Sequence, residues 1–189
     1  MKSDGKGNNF ARLVLSMVIA NAIRLLRVIP NNDPIMSMAL PFSRRSSVWT
    51  SFAFPFITMA SFDFVTGYVG AWTVVTSLTY GILGVIFHYA LKDRKRVGIK
   101  RYLGYGVFGV LVFDFVTGVI ATPFLYPPIG FWQALIGQIP FTAMHLLTTS
   151  AFILVVTPLL DKEVLLNKHL EDSSIRSIIL RLVGRQVSA

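Results

Sequence analysis

Residues Pro30–Ser47 read "PNNDPIMSMALPFSRRSS", and this stretch decides the fold. It separates two long apolar runs. Its own apolar part, Pro34–Phe42, is about half the ~20 residues an ordinary helix needs to cross a bilayer. Whether it crosses sets the direction of every helix after it.

Five longer apolar runs surround it: Phe10–Ile29, Val48–Gly67, Ala71–Leu91, Tyr102–Thr122 and Phe131–Leu160. Each approaches or exceeds the length of a membrane helix. Charged residues make up only 14% of the chain, where a soluble domain has about 25%. Strict alternation in ~10-residue units, the mark of a membrane β-barrel, is missing. The pattern predicts an all-α membrane protein in the cell membrane, with the last run a single helix bent near Pro140.

Basic residues set the topology. Lys2, Lys6 and Arg12 lie before or at the start of the first helix, and Arg44 and Arg45 follow the short one. "LKDRKRVGIKR" (Leu91–Arg101) follows the fourth, and Lys162 and Lys168 follow the last. The linkers "PNND", "GYVGAW" and "ATPFLYPPIGFW" hold no lysine or arginine. If Pro34–Phe42 crosses, every basic loop falls on one face. If it does not, Arg44–Arg45 and Lys92–Arg101 fall on opposite faces. Cytoplasmic loops are enriched in lysine and arginine, so the charges select six transmembrane helices with both termini cytoplasmic. The net charge of +9 then reflects topology and anionic headgroups rather than nucleic acid. There is no cysteine for a disulfide or a thiolate metal site.

The expected organisation is a polar tail over 1–9, a six-helix domain over 10–160 and a cytoplasmic tail over 161–189. The first helix reads as uncleaved, because no small-residue cleavage site ends it. Within the tail, Ser174–Val187 places Ile175, Ile178, Ile179 and Leu182 on one face and Arg176, Arg181 and Arg185 largely on another. That spacing suits an amphipathic helix on the inner leaflet; a mobile charged tail is the alternative.

"FDFVTG" occurs at Phe62–Gly67 and again at Phe113–Gly118. In the six-crossing topology Asp63 and Asp114 each fall about one turn from the outer end of an outward helix. A glycine four positions on marks where each helix can stop. A carboxylate facing lipid there would cost a few kcal/mol, so both should face the interior. Of Arg24 and Arg27, near the outer end of the first helix, one or the other is expected to pair with Asp63 or Asp114 beneath an outward-facing pocket. The alternative has the arginines snorkel to headgroups while the aspartates brace helices.

Other polar groups gather in the same half. Thr73, Ser77, Gly81, Gly84 and His88 form a small, polar face that suits close helix packing as well as ligand contact. Gln138, Thr142, His145 and Thr149 recur at helical spacing, Gln138 in the outer half and His145 near the middle. His145 is either a satisfied core group or a ligand contact, and no neighbouring ligand set suggests a metal. Trp72, Tyr126 and Trp132 suit interfacial anchoring or stacking on a flat solute.

The order of features resembles the substrate-binding S component of energy-coupling-factor vitamin transporters and related six-helix membrane families. The resemblance rests on "PNNDPIMSMALPF" (30–42), "FPFITMASFDFVTG" (54–67) and "PFLYPPIGFWQALIGQIPFTAMHLL" (123–147), and spans about Phe10 to Leu160. It implies a short second helix and a pocket near the outer face. It also implies docking through the first helix onto a transmembrane coupling subunit driven by two ATPases. That docking uses small residues four apart. Here Ser16 and Ala20 offer the spacing, without the alanine pair of the resembled group. No nucleotide-binding loop is present, so an ATP-driven step belongs to other chains.

The expected function is a binding and transport subunit for a small organic, vitamin-like solute. Its wall would be formed by Arg24, Asn31, Asn32, Asp33, Asp63, Trp72, Asp114, Tyr126, Trp132, Gln138 and His145, with no cofactor. Two other classes remain: a structural membrane protein whose aspartates are consumed by Arg24 and Arg27, and an intramembrane aspartate-dependent enzyme.

Overall fold

The computed structural model describes residues 4–26, 33–94 and 97–161. Arg27, Asn31, Asn32, Lys95, Arg96, the tail lysines Lys162 and Lys168, and the amphipathic stretch Ser174–Val187 lie outside the described residues. Among the described residues the fold is wholly helical. We number six helices: α1 Asp4–Leu26, α2 Ile35–Arg45, α3 Val48–Thr66, α4 Ala71–Leu91, α5 Ile99–Leu125 and α6 Phe131–Leu160. The last four are long and apolar enough to cross a membrane. α1 begins at Asp4, so the expected polar tail over 1–9 is partly helical.

α2 is the axis of the bundle. Apart from Phe42 and Arg45, all its residues are buried. A helix shielded by other helices need not match the bilayer thickness or be uniformly apolar. This is why eleven residues that include two serines and two arginines can hold the centre. Pro41 lacks the N–H that would bond the Ser37 carbonyl. Thr157 of α6 fills the gap, donating its hydroxyl to Ser37 O at 3.0 Å. α3 solves the same problem differently. Pro55 frees the carbonyl of Ser51, and Gly84 of α4 packs directly on that oxygen, where an added Cβ would come within 1.9 Å. The small face of α4 therefore serves close helix packing at Gly81 and Gly84, against Phe52 and Ser51 of α3.

Contacts between named residues fix relative directions. α5 and α6 run antiparallel, since Gly118 meets Gln138, Asp114 meets His145, and Gly106 meets Ile153. α3 and α4 are antiparallel through Asp63–Thr73 and Ser51–Gly84. α2 runs against α5, with Met36 on Gly109 and Leu40 on Gly106. The last turns of α1 meet the last turns of α3, where Asn21 Nδ2 donates to Ser61 Oγ at 2.8 Å.

The two copies of "FDFVTG" fold differently. The first ends α3 as expected. Gly67 takes the left-handed conformation (φ 76°), and the N–H of Tyr68 bonds Asp63 O at 2.9 Å. The second ends nothing. α5 continues for ~3 turns beyond Asp114, widening into a π-helical stretch over Phe115–Ala121 before the final turn Thr122–Leu125. Pro123 removes one N–H from this stretch, and Thr122 Oγ1 donates to Thr117 O at 3.2 Å. Asp114 is therefore not one turn from a helix end. It sits deep in the bundle, and the loop before α6 is only Tyr126–Gly130.

Candidate functional site

Two polar clusters lie at opposite ends of α2. The first surrounds its N-terminus. Asp33 accepts the backbone N–H of Ile35 at 2.9 Å through Oδ1, which fixes the carboxylate at the head of the helix. Its Oδ2 lies 3.1 Å from Nε2 of His145 on α6. On the other side of the same ring, Nδ1 lies 2.8 Å from Asp114 Oδ1 on α5. The imidazole thus bridges two carboxylates from two elements. All three residues are buried. Phe113 and Phe141 flank the ring edge-on, at centroid distances of 5.9 and 6.2 Å. Asp114 Oδ2 is buried without a hydrogen-bond partner, as are Thr149 Oγ1 one turn along α6 and the Tyr80 hydroxyl on α4. Tyr80 stacks on Phe113, next in sequence to Asp114, at 4.4 Å.

Nearer the end of the bundle, Asp63 accepts a 2.6 Å bond from the Thr73 hydroxyl, tying α3 to α4 across the Gly67–Gly70 turn. Arg24 approaches this region from α1. It does not pair with Asp63 or Asp114, which corrects the expectation for Arg24; Arg27, the other candidate, lies outside the described residues. Its guanidinium lies 4.0 Å above the Phe62 ring, with Nη1 3.1 Å from Met59 Sδ. It feels the charges of Asp33 and Asp63 at longer range. A flat, weakly hydrated guanidinium suits an aromatic face, and Phe62 is the residue beside Asp63. Asp114 has taken His145 instead.

The remaining expected site residues scatter. Trp72, in the first turn of α4, and Tyr126, just past α5, lie 6.3 Å apart with their rings tilted. Trp132 is 71% exposed and touches Phe131, as an interfacial anchor would. Gln138 packs over Gly118 and donates to Thr142 Oγ1 at 3.4 Å. Asn32 lies outside the described residues. Ser16 and Ala20, expected to face a docking partner, are instead buried against the rest of the chain, at 6% and 0% exposure. The open face of α1 is Val14, Leu15, Val18 and Ile19.

The second cluster closes the other end of α2, and sequence reasoning missed it. Asp161, just past α6, is fully buried. Its Oδ2 accepts from Arg44 Nη1 and from the Tyr102 hydroxyl, each at 2.6 Å, and its Oδ1 pairs with Arg45 Nη2. Arg44 also donates from Nε and Nη2 to Arg94 O at 3.2 and 3.0 Å. Asp161 belongs to the bundle rather than to the tail. His88 adds to this end, its Nδ1 3.0 Å from Ser43 O.

Fold and site together define a helical bundle with apolar outer helices, a buried polar axis and a carboxylate–imidazole–carboxylate bridge at its centre. The chain belongs to the family of unknown function DUF6580, which it matches over residues 5–162. No curated protein and no solved structure matches it.

Proposed function

We propose that the chain is a multi-pass protein of the cell membrane that binds and carries a small organic solute. In this reading α2 is a short sixth crossing and both ends are cytoplasmic. The head-to-tail directions of α2 to α6 support it, as does the placing of Arg44, Arg45 and Arg94 together at one end. Solute enters from the end that carries Asp63, Trp72 and Tyr126, and meets the bridge beneath. An ATP-driven coupling module of the kind seen in the resembled transporters would meet α1 on its exposed apolar face.

The observation that carries the proposal is the unpartnered Asp114 Oδ2. A carboxylate present only to brace helices would have both oxygens engaged, since a buried acceptor without a donor costs about 1–3 kcal/mol. In the purely structural reading Arg24 and Arg27 would consume the acids; Arg24 instead lies over Phe62 and against Met59. The test is native mass spectrometry of the protein released from lipid nanodiscs. A co-purifying small molecule is expected with the wild type and is lost with Asp114→Asn. An identical ligand-free spectrum for both proteins across several lipids would overturn the proposal.

A further inference from the structure

The bridge contains a proton count. A neutral imidazole owns one N–H, at either Nδ1 or Nε2. It can donate to one carboxylate, and its other nitrogen presents a lone pair. Yet both nitrogens of His145 lie within hydrogen-bond distance of carboxylate oxygens, Asp114 at 2.8 Å and Asp33 at 3.1 Å. With both aspartates ionised and the ring neutral, one of these contacts would set lone pair against negative oxygen in a buried site. Two bonds need two protons between ring and acids. The set must therefore hold one more proton than a neutral histidine and two carboxylates possess.

We infer that Asp33, His145 and Asp114 form a proton-binding site at the centre of the bundle, and that the bound proton ties α2 to α5 across α6. It resides either on the ring, giving imidazolium between two carboxylates, or on one aspartate beside a neutral ring. In both forms the bridge carries a net charge of −1. Among the described residues, the charged and titratable groups around it come from α1, α3 and α4. Arg24 of α1 faces Asp33 and Asp63 electrostatically. Asp63 of α3 is turned to Thr73, and the Tyr80 hydroxyl of α4 lies behind Phe113. Among the described residues α6 adds the neutral Thr149. Arg24 thus offsets the remaining negative charge without occupying the bridge. Asp114 Oδ2, buried and without a hydrogen-bond partner, is the one acceptor of the set that the bridge leaves unused.

Release of the proton removes one of the two bonds. Asp33 heads α2, so breaking its side frees the N-terminus of the helix that fills the core. Breaking the other side frees α5 where its π-helical stretch begins, a helix form frequent at functional sites. On the transport reading, on which this consequence rests, the chain holds its own coupling ion. The proton site itself stands without that reading.

The experiment uses the full chain, labelled with 15N-histidine, in lipid nanodiscs at pH 7. The chain has three histidines, and Asp114→Asn, which keeps the side-chain shape, identifies the His145 signal by its shift. Two results support the site. In one, both ring nitrogens of His145 carry hydrogen. In the other, the ring is neutral and infrared spectra show a protonated carboxyl that disappears in Asp33→Asn or Asp114→Asn. A neutral His145 with no protonated carboxyl would overturn it. A proton found with no solute in the mass spectrum would sink transport and keep the site; solute with neither protonation signal would do the reverse.

Discussion

The two ends of α2 hold opposite solutions to burying charge. At the Arg44 end, one carboxylate serves three donors, Arg44, Arg45 and Tyr102, and both its oxygens are engaged. At the Asp33 end, two carboxylates share one imidazole, and an oxygen of Asp114 goes without a partner. The first arrangement has donors to spare and no vacant acceptor, which is how a static joint is built. The second is short of donors and depends on a proton that can leave. Of the two ends, the Asp33 end is therefore the one whose hold on α2 changes with protonation.

The largest test of this contrast is Asp161→Asn. Removing one member of a buried pair destabilises by about 3–5 kcal/mol, because the remaining charge stays buried without its partner. A loss of about that size is expected in unfolding of the purified protein in nanodiscs. A loss under ~1 kcal/mol would place Asp161 among the surface pairs and dissolve the distinction between the two ends.

The matching substitution at the other end, Asp114→Asn, is expected to cost less than Asp161→Asn, about 1–2 kcal/mol, because it exchanges a hydrogen bond to a carboxylate for one to an amide. The amide oxygen still accepts from His145, and the amide N–H2 occupies the side where a carboxylate oxygen now lacks a donor. The same unfolding measurement checks it. A cost equal to that of Asp161→Asn would show that both ends are static joints.

Much of the fold was legible because lipid demands uniform runs. α4 and α6 fall on the bounds that the apolar pattern gives, and α3 differs by one residue. α2 was read from charge rather than hydropathy: Arg44 and Arg45 had to share a face with Lys92–Arg101, which the short segment alone could arrange. α5 was cut short because Thr122-Pro123 and Pro127-Pro128 look like a loop. A π-helical stretch tolerates the first of these prolines, and only the second pair lies beyond the helix. At the site, His145 and Asp114 were both named, but their partnership was not. Hydrogen bonds between residues 33, 114 and 145 leave no trace in local spacing. Identical hexapeptides also invite identical partners, and the sequence offers Arg24 and Arg27 to either acid without distinguishing Asp63 from Asp114. The Arg44–Asp161 pair is further from sequence still, because Asp161 looks like the first residue of a polar tail.

The smallest effect separates the two hexapeptides. Gly67 has φ 76° and nothing near an added Cβ, so Gly67→Ala meets only the backbone penalty, about 1 kcal/mol. Gly118 lies within a continuous helix, where alanine is the better former by ~1 kcal/mol, but its Cβ would fall 1.9 Å from Gln138 Oε1. That oxygen ends a flexible side chain, so Gln138 can swing away and give up its bond to Thr142. Gly118→Ala should therefore be close to neutral, and Gly118→Ala combined with Gln138→Ala should be more stable than Gln138→Ala alone. Gly67→Ala should gain nothing from the same background. Equal responses of the two glycines in unfolding experiments would mean that both repeats end helices, and Asp114 would return to the rim beside Asp63. A difference of the expected sign keeps it in the centre, against His145.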